Sequence, residues 1–148
     1  MKITTWNVNS INSRLNHLIS FIKKDQSDIF LLQELKCINE RFPYQQIEEI
    51  GYNCYVNGQK AWNGVAILSK KKLNIVNSKV PTFVNDHQSR FLETEIKHTK
   101  IKSNIKLFCI YLPNGNPIET EKFNYKIKWM KKFNNYIQNL YNEDTPII

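Results

Sequence analysis

Long hydrophobic runs, cysteine pairs and repeated segments are what this sequence lacks. No stretch of its 148 residues approaches the roughly 20 consecutive apolar residues of a membrane-spanning helix, and its start has no secretory signal pattern. Its cysteines are odd in number and form no C-x-x-C pair, which argues against a disulfide framework and a zinc site. Repeats, linkers and low-complexity tracts are also missing. We therefore expect a single cytoplasmic domain, residues 1–148, with no membrane partner.

Apolar residues and positive charge are what the sequence does have. Hydrophobic residues make up 41% and aromatic residues 12% of the chain, as in globular rather than disordered proteins. The net charge of +8 suits a polyanionic partner. The chain is also rich in lysine, asparagine and isoleucine, the residues of A/T-rich codons, so part of this charge reflects composition rather than function.

An unbroken apolar run at residues 29–32 is the centre of the predicted fold. It does not alternate with polar residues, which is typical of a strand covered on both faces. The run ends in Gln33, Glu34 and Lys36, and in layered α/β folds functional groups collect where strands end. A carboxylate there can bind a hard cation, and a lysine two residues later can contact an anion. The alternative is a strand that simply meets solvent at Gln33.

The preceding segment predicts a parallel partner for this strand. Residues 2–8 have strand character, and apolar residues then recur at helical spacing from Leu15 to Ile22. A strand, a helix and a second strand form a right-handed parallel crossover, which places the ends of both strands at one edge of the sheet. We therefore expect Asn7 and Glu34 to lie at the same edge.

The remaining chain predicts further strands and two more helices. Pro43 opens a short helix that Gly51 stops, and a long amphipathic helix covers 123–140. Strands are expected near 52–56, 65–68, 73–76, 92–96 and 105–112, with a polar turn at 97–104 and a loop at 113–117. The last residues, 145–148, resemble the opening of a buried strand, and we expect a chain cut short inside that element. A short docked edge strand is the alternative.

Several short motifs carry a family resemblance. They are Trp-Asn-Val-Asn at 6–9, Leu-Gln-Glu-Leu-Lys at 32–36, Gly-Tyr at 51–52, Gly-Val-Ala-Ile-Leu-Ser-Lys at 64–70, Arg90 before a Thr-Glu-Ile strand, and Tyr-Leu-Pro-Asn-Gly at 111–115. Each is weak alone. In this order and at this spacing, they resemble the exonuclease III branch of the endonuclease/exonuclease/phosphatase family, the bacterial AP endonucleases. The resemblance covers the whole chain and somewhat more than half of the family's domain.

This resemblance implies a fold and an activity. The fold is an α/β, four-layered sandwich of two packed sheets with helices outside, here incomplete and truncated before its second half. The activity is that of an exodeoxyribonuclease III-type DNA repair nuclease, which uses Mg²⁺ or Mn²⁺ to hydrolyse phosphodiesters of duplex DNA at abasic sites and 3′ ends. No obligate protein partner is evident.

The resemblance also assigns catalytic and metal-binding roles. Glu34 resembles the family's metal-binding carboxylate, and Asn7 resembles an asparagine that gives its amide oxygen to the metal or holds a neighbouring ligand. Tyr111 resembles the active-site tyrosine, whose hydroxyl can donate to a phosphate oxygen as charge develops. The alternatives are a turn or cap residue for Asn7 and a core aromatic for Tyr111.

Four further residues are candidates for substrate binding. Asn114 matches a residue that contacts the DNA backbone, which a loop amide can do without reading sequence. Lys36 and Arg90 are candidate phosphate contacts, and Asn9 is a candidate for the same edge. A solvated surface position is the alternative for Lys36 and Arg90.

The sequence departs from the family pattern in two places. After the asparagine that matches Asn9, the family usually has a glycine and then an arginine. Here Ser10-Ile11-Asn12 follow Asn9 and displace Arg14, which puts a DNA contact from that arginine in doubt. The chain also lacks the Gly-Asp-x-Asn and Ser-Asp-His motifs, and Asp86-His87, His17 and His98 do not replace them. We therefore expect the 148 residues alone to be inactive. A non-catalytic DNA-binding fragment, a decayed gene product, and a same-fold phosphoesterase acting on a small phosphate ester remain as alternatives.

Overall fold

Two β-sheets lie face to face between helices in the computed structural model, which describes residues 1–97 and 103–148. The first sheet contains β1, β2, β4 and β3 in that order, and the second contains β5, β6 and β7. The strands are β1 (Ile3–Asn7), β2 (Ile29–Gln33), β3 (Asn53–Asn57), β4 (Val65–Ser69), β5 (Asn74–Asn77), β6 (Phe91–Ile96) and β7 (Ile105–Ile110). The helices are α1 (Leu15–Asp25), α2 (Tyr44–Glu48) and α3 (Glu121–Asn142).

The side chains of β2 show how the layers form. Phe30 and Leu32 point into a core shared with α1 and α2, whereas Ile29 and Leu31 point into the core between the two sheets. A third core packs α3 against the outer face of the second sheet. The predicted strand covered on both faces is confirmed, and so is the α/β sandwich of helix, sheet, sheet and helix layers.

Strand pairing confirms the predicted shared edge. β1 and β2 are parallel, with Asn7 opposite Gln33. Beyond the strands, the pairing continues into the two loops: the Val8 N–H donates to the Gln33 carbonyl at 3.0 Å and the Ser10 N–H to the Glu34 carbonyl at 2.8 Å. The chain segments that leave β1 and β2 are therefore fixed to each other.

The second sheet places further residues at the same edge. β6 and β7 are antiparallel, with Phe91 opposite Ile110, so Arg90 precedes one strand where Tyr111 follows the other. The Tyr111 N–H donates to the Arg90 carbonyl at 2.8 Å. The two sheets contact each other near this edge. For example, the Cys109 thiol of β7 donates to the Leu32 carbonyl of β2 at 3.3 Å.

Some elements differ from, or add to, the sequence predictions. α3 begins at Glu121 rather than at the predicted residue 123. The Thr120 hydroxyl caps this start by accepting a hydrogen bond from the Phe123 N–H. Residues 98–102 of the predicted polar turn, including His98, lie outside the described residues.

The last residues of the chain pair with β7. Lys106 in β7 and Ile147 form a parallel bridge. The Ile148 N–H donates to the Lys106 carbonyl at 2.9 Å.

Within 1–97 and 103–148, no helix has both the length and the apolar character needed to cross a bilayer.

Candidate active site

Asn7, Glu34 and Tyr111 meet at the edge where both sheets end. The Glu34 Oε1 atom accepts a hydrogen bond from Asn7 Nδ2 and another from the Tyr111 hydroxyl, each at 2.8 Å. Asn7 ends β1, Glu34 follows β2 and Tyr111 follows β7, so three strands from two sheets position one carboxylate.

The backbone around Glu34 is held in an unusual conformation. Glu34 and Lys36 have positive φ values of 56° and 55°, a left-handed conformation that non-glycine residues seldom adopt and that clusters at functional sites. Two hydrogen bonds to the loop before β4 hold this turn: the Leu35 N–H donates to the Gly64 carbonyl and the Lys36 N–H to the Asn63 carbonyl. The turn directs the Glu34 side chain toward β1 and β7 rather than along the strand.

Hydrogen bonds keep Glu34 ionised. The Asn7 amide, and after it the Tyr111 hydroxyl and Lys36, hold the pKa of Glu34 below its usual value despite partial burial. Lys36 Nζ lies 3.2 Å from Glu34 Oε2 and also donates to Asn9 Oδ1. The backbone N–H of Asn9 in turn donates to Asn7 Oδ1 at 3.1 Å. The predicted residues Asn7, Asn9, Glu34, Lys36 and Tyr111 thus form one connected network.

Arg90 belongs to the same edge. Its guanidinium lies 4.8 Å from the centre of the Tyr111 ring and donates to the Tyr111 carbonyl at 3.2 Å. Its Nε donates to Gln88 Oε1 at 2.6 Å.

Burial and the hydrogen bond to Glu34 raise the pKa of Tyr111. The phenol therefore remains a protonated hydrogen-bond donor at neutral pH.

A cavity of about 750 Å³ opens beside this network and contains Asn114. Asn114 does not join the hydrogen bonds around Glu34. Its Oδ1 accepts from Asn116 Nδ2 at 3.0 Å, and its carbonyl accepts from Lys126 Nζ at 3.3 Å. The cavity is large enough for a nucleotide-sized group. Glu34, Lys36, Arg90, Tyr111 and Asn114 all line it.

Other lining residues were not predicted from the sequence. Trp62 and Lys122 line the cavity, and Trp62 is 71% exposed. Asn63 is buried and donates to Gln59 Oε1 at 3.0 Å. The only sequence signal for these positions is that Trp62 and Asn63 precede the Gly-Val-Ala-Ile-Leu-Ser-Lys motif; Lys122 has none.

Asp86 and His87 do not form a catalytic pair. The Asp86 carboxylate is buried and accepts the Tyr125 hydroxyl at 2.9 and 3.0 Å, so it fixes α3 to the loop before Arg90. His87 and His17 are exposed.

The donors at this edge suit a hard divalent cation. Glu34 offers an ionised carboxylate, and Mg²⁺ binds one or two protein carboxylates and completes its shell with water and substrate phosphate. Among the residues that the structure describes, no three His, Cys, Asp or Glu side chains cluster as a complete metal-binding group. Glu34 can therefore supply one ligand to a cation whose other ligands are water and an anionic group in the cavity.

Curated relatives of this chain are exodeoxyribonucleases by name. Exodeoxyribonuclease III of Haemophilus influenzae is 32% identical over 153 residues, covering all of this chain and 55% of that protein. The exodeoxyribonuclease of Bacillus subtilis is 26% identical over 152 residues, covering 56% of that protein. The chain thus spans about half the length of the curated relatives it matches.

Solved structures agree. A 3′-5′ exonuclease from Neisseria meningitidis superposes with a TM-score of 0.85 at 32% identity, covering 96% of this chain and 53% of that one. An AP endonuclease from Archaeoglobus fulgidus gives a TM-score of 0.81 at 33% identity, covering 94% and 51%. The resemblance inferred from the motifs is confirmed. Because residues 4–145 also match its family model, the chain belongs to the endonuclease/exonuclease/phosphatase family.

Proposed function

We propose that this chain provides the metal-binding and phosphate-binding part of an exodeoxyribonuclease III-type nuclease. Its substrate would be duplex DNA at abasic sites and 3′ ends, and its setting DNA repair in the cytoplasm. The observation that carries the proposal is the convergence of Asn7 and Tyr111 on Glu34 Oε1, each at 2.8 Å. The names of the relatives and the positive net charge of +8 support DNA as the substrate.

Glu34 would hold Mg²⁺ or Mn²⁺ through its carboxylate. When bound, such a cation neutralises charge on a phosphate oxygen and lowers the pKa of bound water. The second role considered for Asn7, holding a neighbouring ligand, fits its hydrogen bonds better than direct coordination. Its Oδ1 accepts from the Asn9 N–H while its Nδ2 donates to Glu34. Asn7 would thus orient the carboxylate.

Tyr111 and Arg90 would bind the phosphate. The Tyr111 hydroxyl lies at the cavity edge as a protonated donor, and it can redirect its hydrogen bond to a phosphate oxygen on which charge develops. The Arg90 guanidinium lies 4.8 Å from the centre of the Tyr111 ring, so it would contribute a positive charge near a phosphate bound by the Tyr111 hydroxyl.

Asn114 and Lys36 would seat the DNA backbone at the same cavity. Phosphate contacts from either side chain would carry no sequence information, which suits an enzyme that recognises damage rather than sequence. Asn9 would act through Lys36, since it accepts a hydrogen bond from that ammonium.

A chimera tests the catalytic part of this proposal. Residues 1–148 would be fused to the remaining part of the Haemophilus influenzae exodeoxyribonuclease III, of which this chain matches 55%. We expect the chimera to cleave a duplex containing a tetrahydrofuran abasic-site analogue in the presence of Mg²⁺. Glu34→Gln should lower kcat/KM by about 10³-fold or more, because members of a concerted site act as a unit.

Controls separate the proposal from other activities. Circular dichroism and thermal unfolding of both chimeras establish that each is folded. The 148 residues alone should bind duplex DNA in a salt-sensitive way with little or no turnover. A folded chimera that cleaves only small phosphate esters, or whose duplex cleavage is unaffected by Glu34→Gln, would contradict the proposal.

A further inference from the structure

The two oxygens of the Glu34 carboxylate are in different situations. Oε1 accepts two neutral donors, Asn7 Nδ2 and the Tyr111 hydroxyl, both at 2.8 Å. Oε2 faces a cation, because Lys36 Nζ lies 3.2 Å from it. A divalent cation that binds the Oε2 atom, the oxygen without a neutral donor, would therefore meet the Lys36 ammonium there.

Lys36 has a second polar contact. Its Nζ also donates to Asn9 Oδ1, a neutral acceptor on the loop after β1. The backbone holds both residues in place, since the Lys36 N–H donates to the Asn63 carbonyl at 3.0 Å and the Asn9 N–H to Asn7 Oδ1 at 3.1 Å. The ammonium can leave Glu34 and remain bound to Asn9 without a change in the backbone.

We infer that Lys36 is a positioning residue that occupies the cation position at Glu34 Oε2 until a divalent cation displaces it. Asn9 then retains the ammonium at the cavity edge, where it faces the substrate phosphate. This inference rests on the proposed function, since it takes Glu34 as the cation ligand. It gives Asn9 and Lys36, which the resemblance assigned only to substrate binding, a joint role in metal loading.

Electrostatics gives the direction of the effect. Two cations at one carboxylate oxygen repel each other, so the ammonium must move or lose its ion pair when the divalent cation arrives. The Lys36 and Glu34 side chains are 27% and 20% exposed, so solvent screens part of their attraction. Displacing a partly exposed pair of this kind should weaken cation binding by about fivefold relative to a chain without the lysine charge.

Manganese titration of the 148-residue chain tests this directly. Mn²⁺ broadens the NMR signals of nearby amides even when it binds weakly, so the dissociation constant can be measured without any enzyme activity. We expect Lys36→Met to bind Mn²⁺ about fivefold more tightly than the wild type, and Lys36→Arg, which restores the charge, to return close to the wild-type value.

Two further variants separate displacement from a general charge effect. Asn9→Gly removes the second acceptor of Lys36 while tolerating the left-handed backbone at this position. It should weaken Mn²⁺ binding by about twofold, although it removes no charge, because the ammonium then pairs with Glu34 alone. Lys122→Met removes a positive charge that lines the cavity without contacting Glu34, and it should tighten binding by less than Lys36→Met.

The outcomes distinguish this inference from the proposed function. Equal Mn²⁺ affinities for the wild type, Lys36→Met and Lys122→Met, all centred on Glu34, would overturn the displacement role and leave the metal site intact. Tighter binding by Asn9→Gly would overturn it as well. If no variant shows broadening centred on Glu34, or if Glu34→Gln broadens like the wild type, both proposals fail. The amide spectrum of each variant reports whether it is folded.

Discussion

Two glutamates in this molecule have the same kinds of partner and different surroundings. Glu34 accepts from an asparagine and a tyrosine and pairs with a lysine: Asn7, Tyr111 and Lys36. Glu93, in the middle of β6, accepts from Asn77 and Tyr136 and pairs with Lys106. One carboxylate follows a strand at an open edge, and the other lies under α3.

Geometry distinguishes the two sets. The Glu93 side chain is fully buried, with Lys106 at 2.6 Å and the Tyr136 hydroxyl on Oε1, and with Asn77 and the same hydroxyl on Oε2. The Glu34 side chain is 20% exposed, and its Oε2 pairs with a lysine at 3.2 Å. Residue types alone therefore do not make a binding site. A carboxylate becomes available to a ligand when one oxygen faces a cavity.

Stability should show the largest contrast between the two glutamates. Replacing Glu93 by glutamine removes the charge that faces Lys106 at 2.6 Å in a buried site and leaves the ammonium with Glu95 alone, at 3.2 Å. This should lower the free energy of unfolding by about 2 to 3 kcal/mol. Glu34→Gln removes a partly exposed pair and should cost less than about 1 kcal/mol. Urea unfolding of both variants measures the difference. Equal losses would show that the Glu34 network is structural.

The two tyrosines should separate activity from stability. Tyr136→Phe removes a hydrogen bond to a buried carboxylate and should cost about 1.5 to 3 kcal/mol of stability. Tyr111→Phe should cost less stability, because its acceptor is partly exposed. It should instead lower kcat of the chimera by about 10²-fold, since it removes a donor to the reacting phosphate. An unchanged kcat for a folded Tyr111→Phe chimera would argue that Tyr111 only orients Glu34.

The same contrast explains what the sequence could and could not predict. The apolar run of β2 and the parallel crossover place Asn7 and Glu34 at one edge, because strand direction and chain connectivity determine where a strand ends. The role of Tyr111 was inferred from the family motif, because no local pattern in the sequence indicates that β7 ends at the same edge. Alternation in residues 92–96 predicts that Glu93 lies on the other face of the strand from Leu92. It does not show that α3 covers the Glu93 face, because the packing of a distant helix leaves no periodic signal in the strand.

Side-chain networks were less predictable still. The contact between Lys36 and Asn9 depends on left-handed backbone conformations at both residues, and neither residue is a glycine whose presence would indicate one. The sequence interpretation gave Asp86-His87 no catalytic role, but it could not show that the Asp86 carboxylate accepts a hydrogen bond from Tyr125 of α3. Such contacts form between elements far apart in sequence, where no motif spans both partners.

The smallest expected effect concerns the ionisation of Glu34. Hydrogen bonding from Asn7 is the largest cause that lowers its pKa. The folded state therefore gains stability that is fully present above the pKa of an unfolded glutamate and is lost as pH falls through the lower folded value. Asn7→Ala should raise the pKa of Glu34 toward the ordinary value, and the pH-dependent part of the stability should shrink with it. Carbon-13 NMR of the glutamate carboxyl groups between pH 2 and 7 follows this titration.

Asn77→Ala is the matched change at Glu93 and should leave the Glu34 titration where it is, because the two networks share no residue. A Glu34 pKa that stays low in Asn7→Ala would mean that Tyr111 and Lys36 suffice to hold the charge, and Asn7 would then lose the orienting role proposed for it.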